Sequence, residues 1–201
     1  GARLGLFNVS GTVTDNTTNV YLKAVAAASP LPAAAAELWY TNGISTASTR
    51  VSVTLSGTSS GSLALLHVTG MSTGTPLDVT GSSAITANST SHSASQITPS
   101  SANSLVVSFA RWNASTVGTI TNLGGMTPWF STFNAVRTHW MYLIQGAAST
   151  VTGSFTTSSN CQHAAVIAAF NDTNAVGGGG GAAMMRTWRV GMLGVGRFMH
   201  A

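Results

Sequence analysis

The chain has 201 residues, enough for one large domain with a real core, and 44% of them are hydrophobic, alanine supplying much of that share. Only 6% are charged, against roughly 25% in an ordinary globular protein, and serine and threonine carry the polarity instead. Eight Lys and Arg against four acids give a formal charge of +4, but the bases are scattered from Arg3 to Arg197, which excludes the clustered footprint of a nucleic-acid binder.

In chain order, Leu4 to Thr14 holds two β-prone pieces broken by Gly11. The Asp15–Asn19 cluster reads as a turn, and Val20–Val25 as a strand, so the three suggest a hairpin. Ala26 to Ala36 favours helix by composition, yet Pro30 and Pro32 deny it room, so a loop is expected. Glu37–Tyr40 reads as a strand and Asn42-Gly43 as a turn. Arg50–Leu55 alternates with Val51, Val53 and Leu55 on one face. Leu63–Val68 is apolar throughout, which predicts a strand buried on both faces or central in a sheet. Gly81–Ser95 is low-complexity and predicts one or two exposed edge strands. Ser104–Ala110 is a second buried strand, Arg111–Phe133 is irregular, and Arg137–Gln145 is a further strand. Ser149–Thr156 alternates, and His163–Phe170 is a last strand, apolar throughout.

Turn signals about every ten residues and β-branched strands predict an all-β fold, an antiparallel β-sandwich of jelly-roll or Ig-like type with about 8–10 strands. Its core is predicted to be Leu38, Tyr40, Val51, Val53, Leu55, Leu63, Leu65, Val106, Phe109, Val166, Ile167 and Phe170. The sandwich occupies residues 1–174. Five consecutive glycines, Gly177–Gly181, mark a flexible linker over 175–181. Residues 182–201 form an apolar and basic C-terminal arm. Met184, Trp188, Met192, Val195 and Met199 could share a helix face, but Gly191, Gly194 and Gly196 weaken it by roughly 1 kcal/mol each, so an irregular or extended arm is favoured. So apolar a tail needs cover. Met184, Met185, Arg186, Trp188, Arg189, Met192, Arg197, Phe198 and Met199 are expected at a subunit interface, with the arm's own sandwich as the alternative resting place.

The chemistry-bearing residues are few. Gly57-Thr58-Ser59-Ser60-Gly61 matches the G-x-S-x-G of a hydrolase elbow, but strand patterns flank it where a helix should follow. Asp15 and Asp172 read as turn residues and Asp78 as a strand entry; Glu37 alone precedes a strand, so no carboxylate pair emerges for acid–base work. Of the five histidines, none makes a metal motif. Cys161 and His163 share a strand face by spacing, yet zinc would need two more ligands. The single cysteine forbids an intrachain disulfide, and no stretch of about eighteen apolar residues exists to make a transmembrane helix. No enzymatic activity, cofactor, metal, nucleic-acid or membrane partner is therefore expected. Trp112, Trp129, Trp140 and Tyr142 could form an aromatic platform for a glycan, against the simpler reading as core or interface aromatics. Gly1 stands without a preceding Met, as in a processed product or a sequence whose start is missing.

The order of motifs adds a resemblance. Val13-Thr14-Asp15-Asn16 before Val20-Tyr21, then Leu38-Trp39-Tyr40, Val51–Leu55, Thr75-Pro76-Leu77-Asp78-Val79-Thr80, Asn103–Val107 and Ala164–Phe170 resemble a β-sandwich domain of tailed-phage virion structural proteins and some bacterial surface proteins. The likeness runs from Leu4 to Phe170, and Thr18 departs from it where the family usually has Gly. The motifs are structural and bring no catalytic residues. The resemblance implies a virion component of a bacteriophage, a capsid cement or decoration protein or a tail or fibre part. It would be held by contacts with other virion proteins and with copies of itself as a homo-oligomer. The rival expectation is a carbohydrate-binding adhesin module, extracellular or at a cell surface.

Overall fold

The structure, a computed structural model, describes residues 2–7, 11–28, 35–42, 44, 50–55, 61–112, 119–132, 137–172 and 189–198. These form strands and no helix: β1 (Ala2–Phe7), β2 (Gly11–Asp15), β3 (Leu22–Ala28), β4 (Ala35–Thr41), β5 (Val51–Leu55), β6 (Gly61–Thr69), β7 (Leu77–Ser93), β8 (Leu105–Trp112), β9 (Ile120–Leu123), β10 (Thr127–Thr132), β11 (Arg137–Ile144), β12 (Ser154–Phe170) and β13 (Arg189–Phe198). A five-stranded sheet, β13-β6-β1-β4-β3, packs against a six-stranded one, β10-β11-β8-β12-β7 with β9 also on β12. All the pairings are antiparallel, so the expected all-β sandwich is present.

Side-chain size sets the spacing between the sheets. Where β3 and β4 lie close over β7 and β12, the facing residues include Ala27, Ala36, Ala164 and Ala168. Small side chains let backbones approach. Farther along the same core, Phe109 and Trp140 stack at 5.5 Å, with Trp129 and Tyr142 packed against the cluster. Alternation then divides β8 and β12 between two cores. Leu105, Val107, Phe109, Ala164, Val166, Ala168 and Phe170 face the first sheet, while Val106, Ala110, Trp112, Ala165, Ile167 and Ala169 face away from it. β8 up to Ala110 and the 163–170 part of β12 are thus buried on both faces, as their apolar runs predict.

Several expectations need correction. Leu22–Ala28 pairs with β4 rather than with the Leu4–Thr14 region, whose pieces go to β4, β6 and β5. The Ala-rich stretch expected as a loop extends β3 to Ala28 and starts β4 at Ala35, because small residues fit under the close strands of the second sheet; Pro30 and Pro32 lie outside the described residues. The irregular stretch after Arg111 contains β9 and β10, joined by Gly124 and Gly125, both at φ 75°. Two consecutive left-handed residues suit glycine and make a tight reversal. β6 is the second strand of its sheet and is not apolar-buried on both faces. Ala64, Leu66 and Val68 point into the core and Leu65 is half-buried on the other face, one residue out of the expected register.

Of the predicted core, Leu38, Tyr40, Val106, Phe109, Val166, Ile167 and Phe170 are buried. Val51 and Val53 are half-buried in a separate cluster with Val13, Tyr21 and Trp39, through which the β2–β5 pair covers the outer face of β4. The Leu55 and Leu63 side chains lie outside the described residues. Gly81–Ser95 is one long edge strand for most of its length, in keeping with its Ser/Thr composition.

Residues 189–198, assigned above to the arm, form the edge strand β13 on β6, from Arg189 opposite Thr69 to Phe198 opposite Gly61. The backbone is extended, as the three glycines predict.

Candidate functional site

The strongest concentration of chemistry lies where the β7/β12 ribbon folds over. In a straight strand Ser83 and Ser93 would stand roughly 33 Å apart. Instead the Ser83 hydroxyl donates to the Ser93 carbonyl, and the Ser95 hydroxyl donates to the Ser82 carbonyl. On the partner strand a Cβ on Gly153 would stand 3.7 Å from the Ile167 side chain. Both strands therefore double back, and β12 does so at register shifts on either side of Cys161. The doubled end carries Phe155 over the outer face of the second sheet, beside Trp112 at 5.9 Å. Together with Ala94, Ile97, Met126 and Val151 it roofs the second core.

Three histidines hold this fold-over. His92, on the returning part of β7, and His163, on the main part of β12, approach Nδ1 to Nδ1 at 2.9 Å. His163 Nε2 lies 3.2 Å from the Ser93 carbonyl, and His92 Nε2 lies 2.8 Å from the Thr157 hydroxyl and 3.4 Å from Cys161 Sγ. His139 on β11 reaches the Ser131 hydroxyl at 2.7 Å through Nδ1 and the Asn122 side-chain oxygen of β9 through Nε2. Phe155 sits between them, 5.1 Å from His92 and 5.2 Å from His139.

The acceptors dictate the protons. A carbonyl only accepts, so His163 carries its proton on Nε2 and, being neutral, is bare at Nδ1. His92 must then donate from Nδ1 and is left an acceptor at Nε2, beside the Thr157 hydroxyl and the Cys161 thiol. The same logic places the His139 proton on Nε2. Neutral rings are what the surroundings favour. Burial and the neighbouring His163 push His92 down to about 4, and burial alone pushes His139 down to about 4. Burial lowers His163 despite its bond to Ser93 and raises the Cys161 thiol. A protonated thiol beside an unprotonated imidazole is a poor nucleophile. Nor do the donors converge on a metal: His92 spends one nitrogen on His163 and turns the other to Thr157 and Cys161. Among the described residues no group of three or more His, Cys, Asp or Glu could hold a metal ion.

The other predicted positions are dispersed. Trp112 and Trp140 are buried in different cores on opposite faces of the second sheet, so neither can stack on a glycan. Trp129 and Tyr142 remain half-buried, edge to face at 5.4 Å. The four aromatics thus form no common platform. Arg189, Met192, Arg197 and Phe198 fall on β13, while Met184, Met185, Arg186, Trp188 and Met199, like Ser59, lie outside the described residues. The carboxylates are apart. Asp15 accepts from Thr17, Asn19 and Tyr21, Glu37 from Lys23 and Trp39, and Asp78 from Ser100, while Asp172 is buried at the end of β12. His92 is the residue that sequence reasoning missed. Its signal was a ring in a stretch, Gly81–Ser95, where Ile85 is the one other bulky side chain.

No family model, no curated protein and no solved structure matches the chain.

Proposed function

We propose that this chain is a non-enzymatic structural protein of a tailed-phage virion, a capsid cement or decoration protein or a tail or fibre component. It is held there by contacts with other virion proteins and with its own copies. The observation that carries this reading is where the scarce charge goes. Glu37 is buried against Lys23 and Trp39, and Asp15 and Asp78 are tied into turns. The outward strands are therefore left to Ser, Thr and Asn, as along β7. A surface with little charge to desolvate or repel suits permanent packing among subunits. The motif order from Val13 to Phe170 supports the same reading.

The test is an electron-microscopy map of phage particles that carry the chain. Density for the sandwich at repeating positions on the shell or tail is expected; particles lacking it would overturn the proposal. The second reading, a glycan-binding adhesin module, rests on the half-buried Trp129–Tyr142 pair. It predicts saturable binding on a glycan array that a Trp129→Ala protein loses.

A further inference from the structure

We propose that His92 and His163 form an acid-released clasp that keeps the end of the β7/β12 ribbon folded over the second core at neutral pH and lets it lift when both rings take a proton. The geometry supplies the steps. One proton is tolerated. On His92 Nε2 it can be donated to the Thr157 hydroxyl 2.8 Å away, which gives its own hydrogen to the Ser159 carbonyl at 2.9 Å. The second proton has only the bare Nδ1 of His163 to occupy. Two N–H groups then face each other where the rings now share one hydrogen over 2.9 Å, and the contact becomes a repulsion between two cations.

Among the described residues nothing nearby offsets that charge. β7 contributes His92 with the Ser83 hydroxyl and the Ser93 carbonyl. β12 contributes His163, Cys161 and Thr157. β11 contributes His139 across the Phe155 ring and Arg137 in register with Trp112, and β9 contributes Asn122. β8 contributes Trp112 and, on its opposite face, Arg111, which burial lowers only to about 10, so it stays cationic. Among the described residues no carboxylate bonds to any of the three rings. Lifting the end hydrates both imidazoles, so above about pH 4, where the closed His92 is still neutral, the open form binds up to two more protons than the closed one.

Cys161 sits at the fold, is buried, and is the chain's single thiol, so it reports opening. The experiment follows its reaction with dithiodipyridine, which reads thiols in acid, from pH 7 to 4. Each rate is divided by that of the urea-unfolded chain at the same pH. Two linked protons raise the relative rate by more than tenfold per pH unit below about 6, approaching a hundredfold. In His163→Asn, whose side-chain oxygen can accept from His92 but does not titrate, the slope should fall to tenfold per unit or less. A slope of tenfold or less in the natural chain, or the same slope in the variant, overturns the clasp. Should the variant fail to fold, hydrogen exchange on the natural chain decides. Protection factors over 154–160 should fall at a higher pH than those over 163–170. Simultaneous loss would mean global acid unfolding and would overturn the proposal.

Discussion

Gly153 lies against Ser108 so closely that a Cβ at 153 would stand 2.7 Å from the serine Cβ. Ser108 has nowhere to retreat, since its hydroxyl is buried and donates to the Val166 carbonyl at 3.1 Å. This contact lets the fold-over sit flat on β8. Gly153→Ala should therefore destabilise the chain by about 1–3 kcal/mol, the usual cost of overpacking. Gly146→Ala is the control, because nothing lies within 4 Å of a Cβ there. Urea unfolding of the two proteins checks the difference; equal midpoints would mean that the doubled end is not packed as described.

The histidines also fix the acid limb of stability. Their folded pKa values lie below the unfolded 6.5, so the unfolded chain binds more protons once the pH drops below 6.5. Their contribution is fully present above about 6.5 and is lost as the pH falls towards 4. For His92 and His139, each moved from 6.5 to about 4, the loss is on the order of 3 kcal/mol apiece. Unfolding free energies measured at pH 7, 6, 5 and 4 should fall steadily. A flat profile down to pH 4 would contradict the burial of these rings.

Cys161 sets the opposite limb. Its thiol is held protonated above the ordinary value of 9.0, so its share of stability is present below pH 9 and fades as the pH rises beyond it. The same burial, 1% exposed, should make alkylation by iodoacetamide at pH 7.5 at least a hundredfold slower than in the urea-unfolded chain. Comparable rates would remove the cysteine from the core.

How much of this was legible depended on range. β8 and the 163–170 part of β12 announced themselves because a strand buried on both faces writes an unbroken apolar run, whereas Ser149–Thr156, read as a strand of its own, only enters the start of the same β12. Cys161 and His163 could be placed on one face by their spacing. The clasp could not be foreseen, because His92 and His163 are 71 residues apart and the fold-over depends on register shifts that leave no local pattern. The Ala-rich stretch misled for a related reason. Alanine was weighed as a helix former held off by proline, whereas Ala27 and Ala36 are there for their size, under the closest approach of the two sheets.

Glu37 offers a sharper test of the β4 face. The residue is 3% exposed, and its carboxylate accepts from Lys23 Nζ at 2.7 Å and Trp39 Nε1 at 2.9 Å, with the ammonium 4.9 Å from the centre of the Trp39 ring. Lys23→Met keeps the aliphatic stem but leaves a buried carboxylate with one partner fewer. Removing one member of a fully buried pair costs roughly 3–5 kcal/mol. Lys23 is 36% exposed, so the expected loss is smaller, about 1–2 kcal/mol after screening. Lys23→Met with Glu37→Gln should recover most of it. A double variant as unstable as the single one would show that packing on Trp39, not charge, holds this corner.

The C-terminal strand decides between two uses of the arm. β13 runs the length of β6, so removing residues 182–201 uncovers the N–H and C=O groups along that edge. Bare edges recruit other strands, and this one has no charge to blunt it: β6 contains neither Lys, Arg, Asp nor Glu. The truncated chain should therefore associate in a concentration-dependent way, measured by sedimentation velocity, and lose several degrees of thermal midpoint. In particles it should also lose occupancy if the arm's Trp188, Phe198 and Met199 serve a neighbour. Full occupancy with self-association in solution would assign the arm to its own sheet alone. A truncated chain that stays monomeric, equally stable and fully incorporated would mean that β13 neither completes the sandwich nor docks on a second subunit.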